Sequence, residues 1–159
     1  MQESYRSVEL DATQTELVCR GLLDLAAVDG VDPAELAMIE DFFAQSGGGA
    51  RSLDSLAALG FDPGAAAAGL TGAARDTFFI SCYMLMYADG AVSDLETQRM
   101  AEFGEAFGVD AEQLSAYDIR ARQLFLGMMA EGLRNKDAVQ QVGAELGLTA
   151  DQIAQATEG

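Results

Sequence analysis

A helix–corner–helix pattern occurs twice in this chain, and no other feature of the sequence restricts the fold as strongly. An apolar stretch ends in Asp29-Gly30, and another ends in Asp89-Gly90, 60 positions further on. An acidic residue follows each pair, Glu35 or Glu96, with one residue fewer between these points in the first copy. The positions beyond the acid also correspond: Ile39 with Met100, Phe42 with Phe103, and Gly47 with Gly108. A duplication of this kind predicts two related helical hairpins within one fold.

Helical periodicity extends over nearly the whole sequence. β-Branched residues are sparse, alanine is abundant, and no convincing run alternates with a period of two. In the first helix, over about residues 12–28, Val18, Leu22 and Leu25 recur on one face. We therefore predict an all-α fold, a compact bundle of seven to eight helices with an internal pseudo-repeat of helical hairpins. The most apolar helix, over about residues 73–88, belongs at the centre because it is hydrophobic on nearly every side.

Capping signals mark the helix starts. Asp32-Pro33-Ala34-Glu35 and Ser93-Asp94-Leu95-Glu96 each place an N-cap side chain three residues before a glutamate, which is the pattern of a capping box. Between residues 47 and 74 the chain is richer in turn residues. A short helix is predicted at 53–59, and the Ala-Gly stretch up to Gly72 fits either a short helix or an irregular linker. The spacing of seven in Ile119, Leu126 and Leu133 predicts a long helix packed on a neighbour.

We expect a polar N-terminal tail, residues 1–12, and a single all-helical domain, residues 13–159. The first ten residues are polar and contain no apolar core of the kind found in signal peptides. The longest uncharged, strongly apolar stretch covers residues 77–88, whereas a helix needs about 20 residues to span a bilayer. The sequence therefore predicts a cytoplasmic protein that does not insert into membranes.

The charge balance excludes several classes of function. Asp and Glu number 26 against 9 Lys and Arg, so the net charge is −17, and there is no histidine. Nucleic acid is excluded as a partner because no basic surface can form. Imidazole-dependent catalysis and His-ligated zinc are excluded as well. Because half of the residues are apolar, the chain can bury a core, and its acidity favours partners with basic surfaces.

The sulfur-containing residues are predicted to pack in the core. Cys19 and Cys82 lie 63 positions apart in apolar segments, and two cysteines are fewer than a disulfide-stabilised domain uses. We interpret both as reduced, buried thiols. Five methionines in apolar helices are interpreted as core side chains rather than as ligands of a soft metal: Met84, Met86, Met100, Met128 and Met129.

The two corners collect carboxylates. Asp29 and Asp89 lie where a helix ends, and a negative charge there is unfavourable by about 0.3–1 kcal/mol because the terminal carbonyls are partly negative. A cation, a basic side chain or the amides of the next helix can offset this. The candidate metal ligands are Asp29, Asp32 and Glu35 at the first corner, and Asp89, Asp94 and Glu96 at the second. Oxygen ligands suit Ca²⁺ or Mg²⁺, and also Mn²⁺, although the spacing is not that of an EF-hand. Alternatively, both aspartates bond to the next helix start and fix the hairpin angle without an ion.

The second corner resembles a motif of the tellurite-resistance TerB-like family. It reads Tyr87-Ala88-Asp89-Gly90-Ala91-Val92-Ser93-Asp94-Leu95-Glu96. The first copy departs from the motif, with Val28 where alanine is usual and a shorter Asp-to-Glu spacing, which weakens a cation site there. The resemblance covers residues 13 to about 150. It implies an all-α bundle with a pseudo-repeat, acidic residues proposed to bind divalent cations, and a role in bacterial tellurite and stress responses with membrane-linked or chaperone-like partners. Similar domains are also accessory modules of unrelated proteins, so the resemblance predicts the fold of this chain better than its function.

We expect binding rather than catalysis. Without histidine no common nucleophile–base pair can be assembled, and Lys136, the sole lysine, lies in no Ser-Lys motif. The sequence does not exclude a catalytic pair of carboxylates of the glycosidase kind, although a small bundle without tryptophan offers little surface on which sugars can stack. The first hypothesis is a TerB-like, non-enzymatic domain that binds Ca²⁺ or Mg²⁺ at its corners. The alternative is a protein-interaction adaptor or homodimerisation module without metal, which requires an exposed apolar groove.

Overall fold

Helices make up most of the described part of the chain in the computed structural model, and that part contains no strand. The described residues are 10–28, 30, 33–45, 53–87, 93–130 and 136–157. Within them the nine helices are α1 (Ala12–Ala27), α2 (Pro33–Gln45), α3 (Leu53–Leu59), α4 (Pro63–Gly69), α5 (Ala73–Tyr87), α6 (Asp94–Phe107), α7 (Ala111–Ala130), α8 (Lys136–Glu145) and α9 (Ala150–Thr157). The predicted all-α class is confirmed.

Helix α4 is the reason why the described residues form nine helices where the sequence predicts seven to eight. It occupies the Ala-Gly stretch that fits a helix and a linker equally well. Asp62 caps it, because its Oδ1 accepts hydrogen bonds from the backbone N–H of Gly64 (3.0 Å) and Ala65 (3.4 Å). Pro63 has the backbone φ that a first helical residue needs. The cap and the proline start a seven-residue helix in spite of its glycines.

Helix α1 begins where the sequence predicts, behind a capping box. The Asp11 Oδ1 accepts from the Gln14 N–H (2.7 Å), and the Gln14 Oε1 accepts from the Asp11 N–H (3.1 Å). Residues 1–9 of the predicted tail lie outside the described residues. Past the end of α1, Gly30 has a φ of +96°, in the left-handed region that glycine adopts without a steric cost.

Helix α5 lies at the centre of the bundle, as its all-round hydrophobicity predicts. Phe78 and Phe79 are fully buried, and the Phe78 ring lies 5.6 Å from that of Phe103 and 5.2 Å from that of Phe107. These rings connect α5 with α6, whereas α1 and α2 of the first hairpin approach each other more closely. The two hairpins therefore share an order of helices but differ in packing. Among the described residues, no helix has both the length and the apolarity that crossing a membrane requires.

The buried residues form one large cluster and two smaller ones, whereas the sequence predicts a single core. The large cluster joins α1, α2, α4, α5 and α6. A second cluster consists of Met84 in α5 with Ala121 and Leu124 in α7. The third joins α7 to the two C-terminal helices through Leu126, Leu148 and Ile153. The 20-residue helix α7 therefore contributes buried residues to both of the smaller clusters.

The sulfur-containing residues pack largely as predicted. Cys19 and Cys82 are buried, unbonded thiols. Burial raises the pKa of Cys19 to about 12 and that of Cys82 well above its usual value, with smaller contributions from Glu16 and Asp24 respectively. Met84, Met86 and Met100 are core residues, each at most 3% exposed. The side chains of Met128 and Met129 lie outside the described part of the structure.

Candidate functional site

The second corner leads into the capping box that the sequence predicts. Ser93 Oγ accepts a hydrogen bond from the Glu96 N–H, and Glu96 Oε1 accepts one from the Ser93 N–H, both at 3.1 Å. Glu96 is only 2% exposed, whereas Asp94, two residues earlier in the same helical turn, faces solvent. The two predicted ligands on α6 are therefore in different environments, and one oxygen of Glu96 already bonds to the backbone.

The first corner repeats the burial of the glutamate. Glu35 lies in the first turn of α2 and is 2% exposed, the same as Glu96 at the corresponding point of α6. Burial of a carboxylate is costly unless other groups bond to it, and neither of these two side chains is isolated. A glutamate buried at the same position of both hairpins agrees with a structural duplication.

Three of the six predicted metal ligands can be placed. Glu35, Asp94 and Glu96 are described, whereas Asp29, Asp32 and Asp89 lie outside the described residues. Within the described part of the chain, no three Cys, Asp or Glu side chains converge closely enough to hold an ion. The placed ligands therefore do not form a cation site by themselves.

A cleft of about 380 Å³ lies between α5, α6 and α7. This volume is within the range of roughly 300–1,000 Å³ that is usual for ligand pockets. The walls are mostly apolar. The lining residues come from one turn of α5 and of α6 and from two turns of α7: Tyr83, Met86, Tyr87, Thr97, Met100, Ala101, Leu114, Asp118 and Arg122.

The cleft exists because α6 and α7 diverge. The two helices are close at Gly104, where a Cβ atom would lie only 2.8 Å from Cδ1 of Leu114. Away from this point α6 packs against α4, and α7 packs against α5, so the two helices contact each other little. The result is a wedge that is narrow at Leu114.

A polar network lies on one wall of the cleft. The guanidinium of Arg122 donates to both Asp118 oxygens, from Nη2 to Oδ2 (2.9 Å) and from Nε to Oδ1 (3.0 Å). Its Nε also donates to the Tyr87 hydroxyl (2.8 Å), and that hydroxyl donates to Asp118. The Arg122 Nη1 donates to the carbonyl of Leu146 (3.1 Å), just beyond α8. The single basic and the single acidic side chain of the cleft lining thus neutralise each other.

The tyrosines of the cleft are neutral at physiological pH. Burial, together with the hydrogen bond to Asp118, raises the pKa of Tyr87 to about 12. Burial and the nearby charge of Asp118 raise the pKa of Tyr83 as well. A phenol with a raised pKa is a poor nucleophile and a poor acid near neutrality. The wall is therefore suited to packing and hydrogen bonding.

The residues of this cleft are ones that sequence reasoning missed. Asp118 and Arg122, four positions apart on α7, carry the signal of a helical ion pair. Nothing in the local sequence shows that the packing of α7 against α5 brings them beside Tyr87. The adaptor hypothesis requires an apolar groove, and the cleft has that character.

By its fold the chain is an all-α helical-bundle protein. Comparisons with models of protein families, with curated proteins and with solved structures gave no match. The assignment of function therefore depends on the two corners and on the cleft.

Proposed function

We propose that the chain is a non-enzymatic, TerB-like binding domain that acts as a protein-interaction adaptor. The observation that carries this proposal is the cleft between α5, α6 and α7, which is mostly apolar and large enough for side chains of a partner. The equivalent burial of Glu35 and Glu96 supports the TerB-like assignment. That resemblance suggests a role in tellurite resistance or another stress response, and the polar N-terminus of the sequence suggests a cytoplasmic setting.

The ionisable groups of the cleft support a role without catalysis. Asp118 is bonded to Arg122 and to Tyr87, so its oxygens are not free to act as a general base. Tyr87 holds its proton because its pKa is raised to about 12. A general acid–base pair needs groups whose pKa values lie near the working pH, and the raised pKa of Tyr87 lies far above it.

Site-specific photo-crosslinking in the source cell tests the adaptor function. A photoreactive phenylalanine analogue replaces Ala101, an exposed residue of the cleft lining. The matched control carries the analogue at Ala106, which is exposed on the same helix but does not line the cleft. We expect discrete adducts, with another protein or with a second copy, from position 101 and not from position 106. Equal labelling from both positions, or none from either, contradicts the proposal.

A divalent cation at the second corner is the other candidate function. It depends on the carboxylates that the sequence places at this corner, Asp89, Asp94 and Glu96, in a chain of net charge −17; of these, Glu96 is buried in the capping box. Oxygen ligands of this kind suit Ca²⁺ or Mg²⁺. The adaptor function does not require an ion, so the two proposals are tested separately.

Thermal unfolding with and without millimolar Ca²⁺ or Mg²⁺ tests the cation site. A ligand that binds the folded state alone should raise the melting temperature by a few degrees. The change Asp89→Asn should abolish that rise. The control, Asp110→Asn, alters a helix cap at α7, where asparagine serves about as well, and should keep it. A melting temperature unchanged by either ion rules the site out.

A further inference from the structure

Exposed carboxylates flank the cleft along α6. Thr97 and Ala101 line it. Asp94 lies three positions before Thr97, and Glu105 lies four positions after Ala101, so the four residues form one stripe along α6. Residues three or four apart lie on one face of a helix, so both carboxylates border the opening. Both residues are exposed. The stripe on α6 therefore carries two negative charges around an apolar centre.

No basic group in the lining offsets these charges. Arg122 is the one basic lining residue, and Asp118 neutralises it through two hydrogen bonds. The nearest arginine on α6, Arg99, bonds to Asp24 and Glu102 instead. With a net charge of −17, the whole molecule adds to the negative potential at the opening.

The shape of the cleft suits a helix. Its α7 wall extends from Leu114 to Arg122, eight residues apart, or about 12 Å at the rise of an α-helix. Two turns of a partner helix have this length and place side chains i, i+3 or i+4, and i+7 on one face. Met86 and Met100, which are 3% and 2% exposed, form the floor of the cleft, and their flexible side chains can adjust to those of a partner.

We propose that the cleft between α5, α6 and α7 binds a basic amphipathic helix of a partner protein. Leucine-type side chains of that helix enter between Met86, Met100 and Leu114. Its lysines or arginines flank the opening and pair with Asp94 and Glu105. This inference rests on the adaptor function proposed above and adds the chemistry of the partner.

Binding of two synthetic peptides to the full chain tests the proposal. Each peptide has about 18 residues, five helical turns, with leucine on one face and either lysine or glutamate on the other. Fluorescence anisotropy of the labelled peptide reports binding. We expect the lysine peptide to bind at least about tenfold more tightly than the glutamate peptide, and its binding to weaken as salt is added.

Variants locate the binding. Ala101→Trp fills the cleft without a change in charge and should weaken lysine-peptide binding by about tenfold, whereas Ala106→Trp should leave it unchanged. Glu105→Lys reverses a charge on the stripe and should weaken binding severalfold. The control for charge, Glu112→Lys, reverses an exposed carboxylate that does not line the cleft and should have a smaller effect.

Each contrary result overturns a different claim. Equal affinity for both peptides contradicts the preference for a basic partner and leaves an adaptor of other specificity. Lysine-peptide binding that is unchanged by Ala101→Trp is general charge attraction and contradicts binding in the cleft. If neither peptide binds while sedimentation shows a dimer that Ala101→Trp dissociates, the occupant is a second copy of this chain. Absence of peptide binding, dimer and photo-crosslinks together ends both the inference and the adaptor function.

Discussion

At the scale of single residues, the corner of the second hairpin depends on a reciprocal bond between Ser93 and Glu96. The change Ser93→Ala removes the oxygen that accepts from the Glu96 N–H. We expect a loss of about 0.5–2 kcal/mol in the free energy of unfolding, measured with urea. The control is Ser115→Ala, at an exposed position inside α7, where alanine is the better helix former. Equal losses in both variants would refute a specific role for the cap.

The Tyr87 hydroxyl gives the molecule a pH dependence above neutrality. Its pKa rises from 10.0 to about 12 on folding, so its contribution to stability is complete below pH 10 and is lost as the pH rises towards 12. Other buried groups titrate in the same range, and the difference between wild type and Tyr87→Phe isolates this one. We expect the unfolding free energy of Tyr87→Phe to fall less steeply over that interval. Parallel curves across it would contradict the coupling.

Features that depend only on neighbouring residues can be predicted from the sequence. A capping box requires particular residue types at two positions three apart, so the Ser93–Glu96 box was predictable and is confirmed. The burial of Glu35 and Glu96 was not, because carboxylates are rarely buried and only tertiary packing decides which ones are. Their place in the duplicated helix–corner–helix pattern made them candidate ligands, but that pattern does not show that they are buried.

At the scale of helices, most boundaries follow from caps and periodicity, whereas the cleft does not. It depends on the contact of Phe103 and Phe107 with Phe78 and on the packing of α6 against α4 instead of α7. Those contacts join residues far apart in the sequence, and helical periodicity gives only the face of a helix that is buried. The individual lining residues were visible in the sequence, but their assembly was not.

The close approach of α1 and α5 requires a glycine. A Cβ atom on Gly21 would lie 2.3 Å from Cε1 of the fully buried Phe78 ring. Alanine gains about 1 kcal/mol of helix propensity, but overpacking typically costs about 1–3 kcal/mol, so we expect Gly21→Ala to lose up to about 2 kcal/mol in urea unfolding. The control Gly64→Ala, at an exposed site in α4, has an ordinary contact at 3.4 Å and should be neutral or stabilising. A stabilised Gly21→Ala would contradict this tight packing.

At the scale of the whole molecule, α7 connects the second and third clusters of buried residues. Its Ala121 and Leu124 pack with Met84 of α5, and Leu126 packs with Leu148 and Ile153 near the C-terminus. Two side chains of α7 reinforce the second contact: Arg122 donates to the carbonyl of Leu146, and Gln123 to that of Gln152. The third cluster is small and is attached mainly through one helix, so it should open more readily than the large cluster.

Arg122 is therefore expected to set the local stability of α8 and α9. The change Arg122→Met keeps the aliphatic stem but removes the bonds to Leu146 and Asp118. Charge-assisted hydrogen bonds contribute about 1.5–3 kcal/mol each, so backbone amides in α8 and α9 should exchange with deuterium at least about tenfold faster. The control, Arg20→Met, removes a similar bond to the Gly60 carbonyl (2.8 Å) and should accelerate exchange near α3 and α4 instead. If Arg122→Met accelerates exchange uniformly over α1, α5 and α9, the C-terminal helices do not open separately, and the molecule unfolds as one cooperative unit.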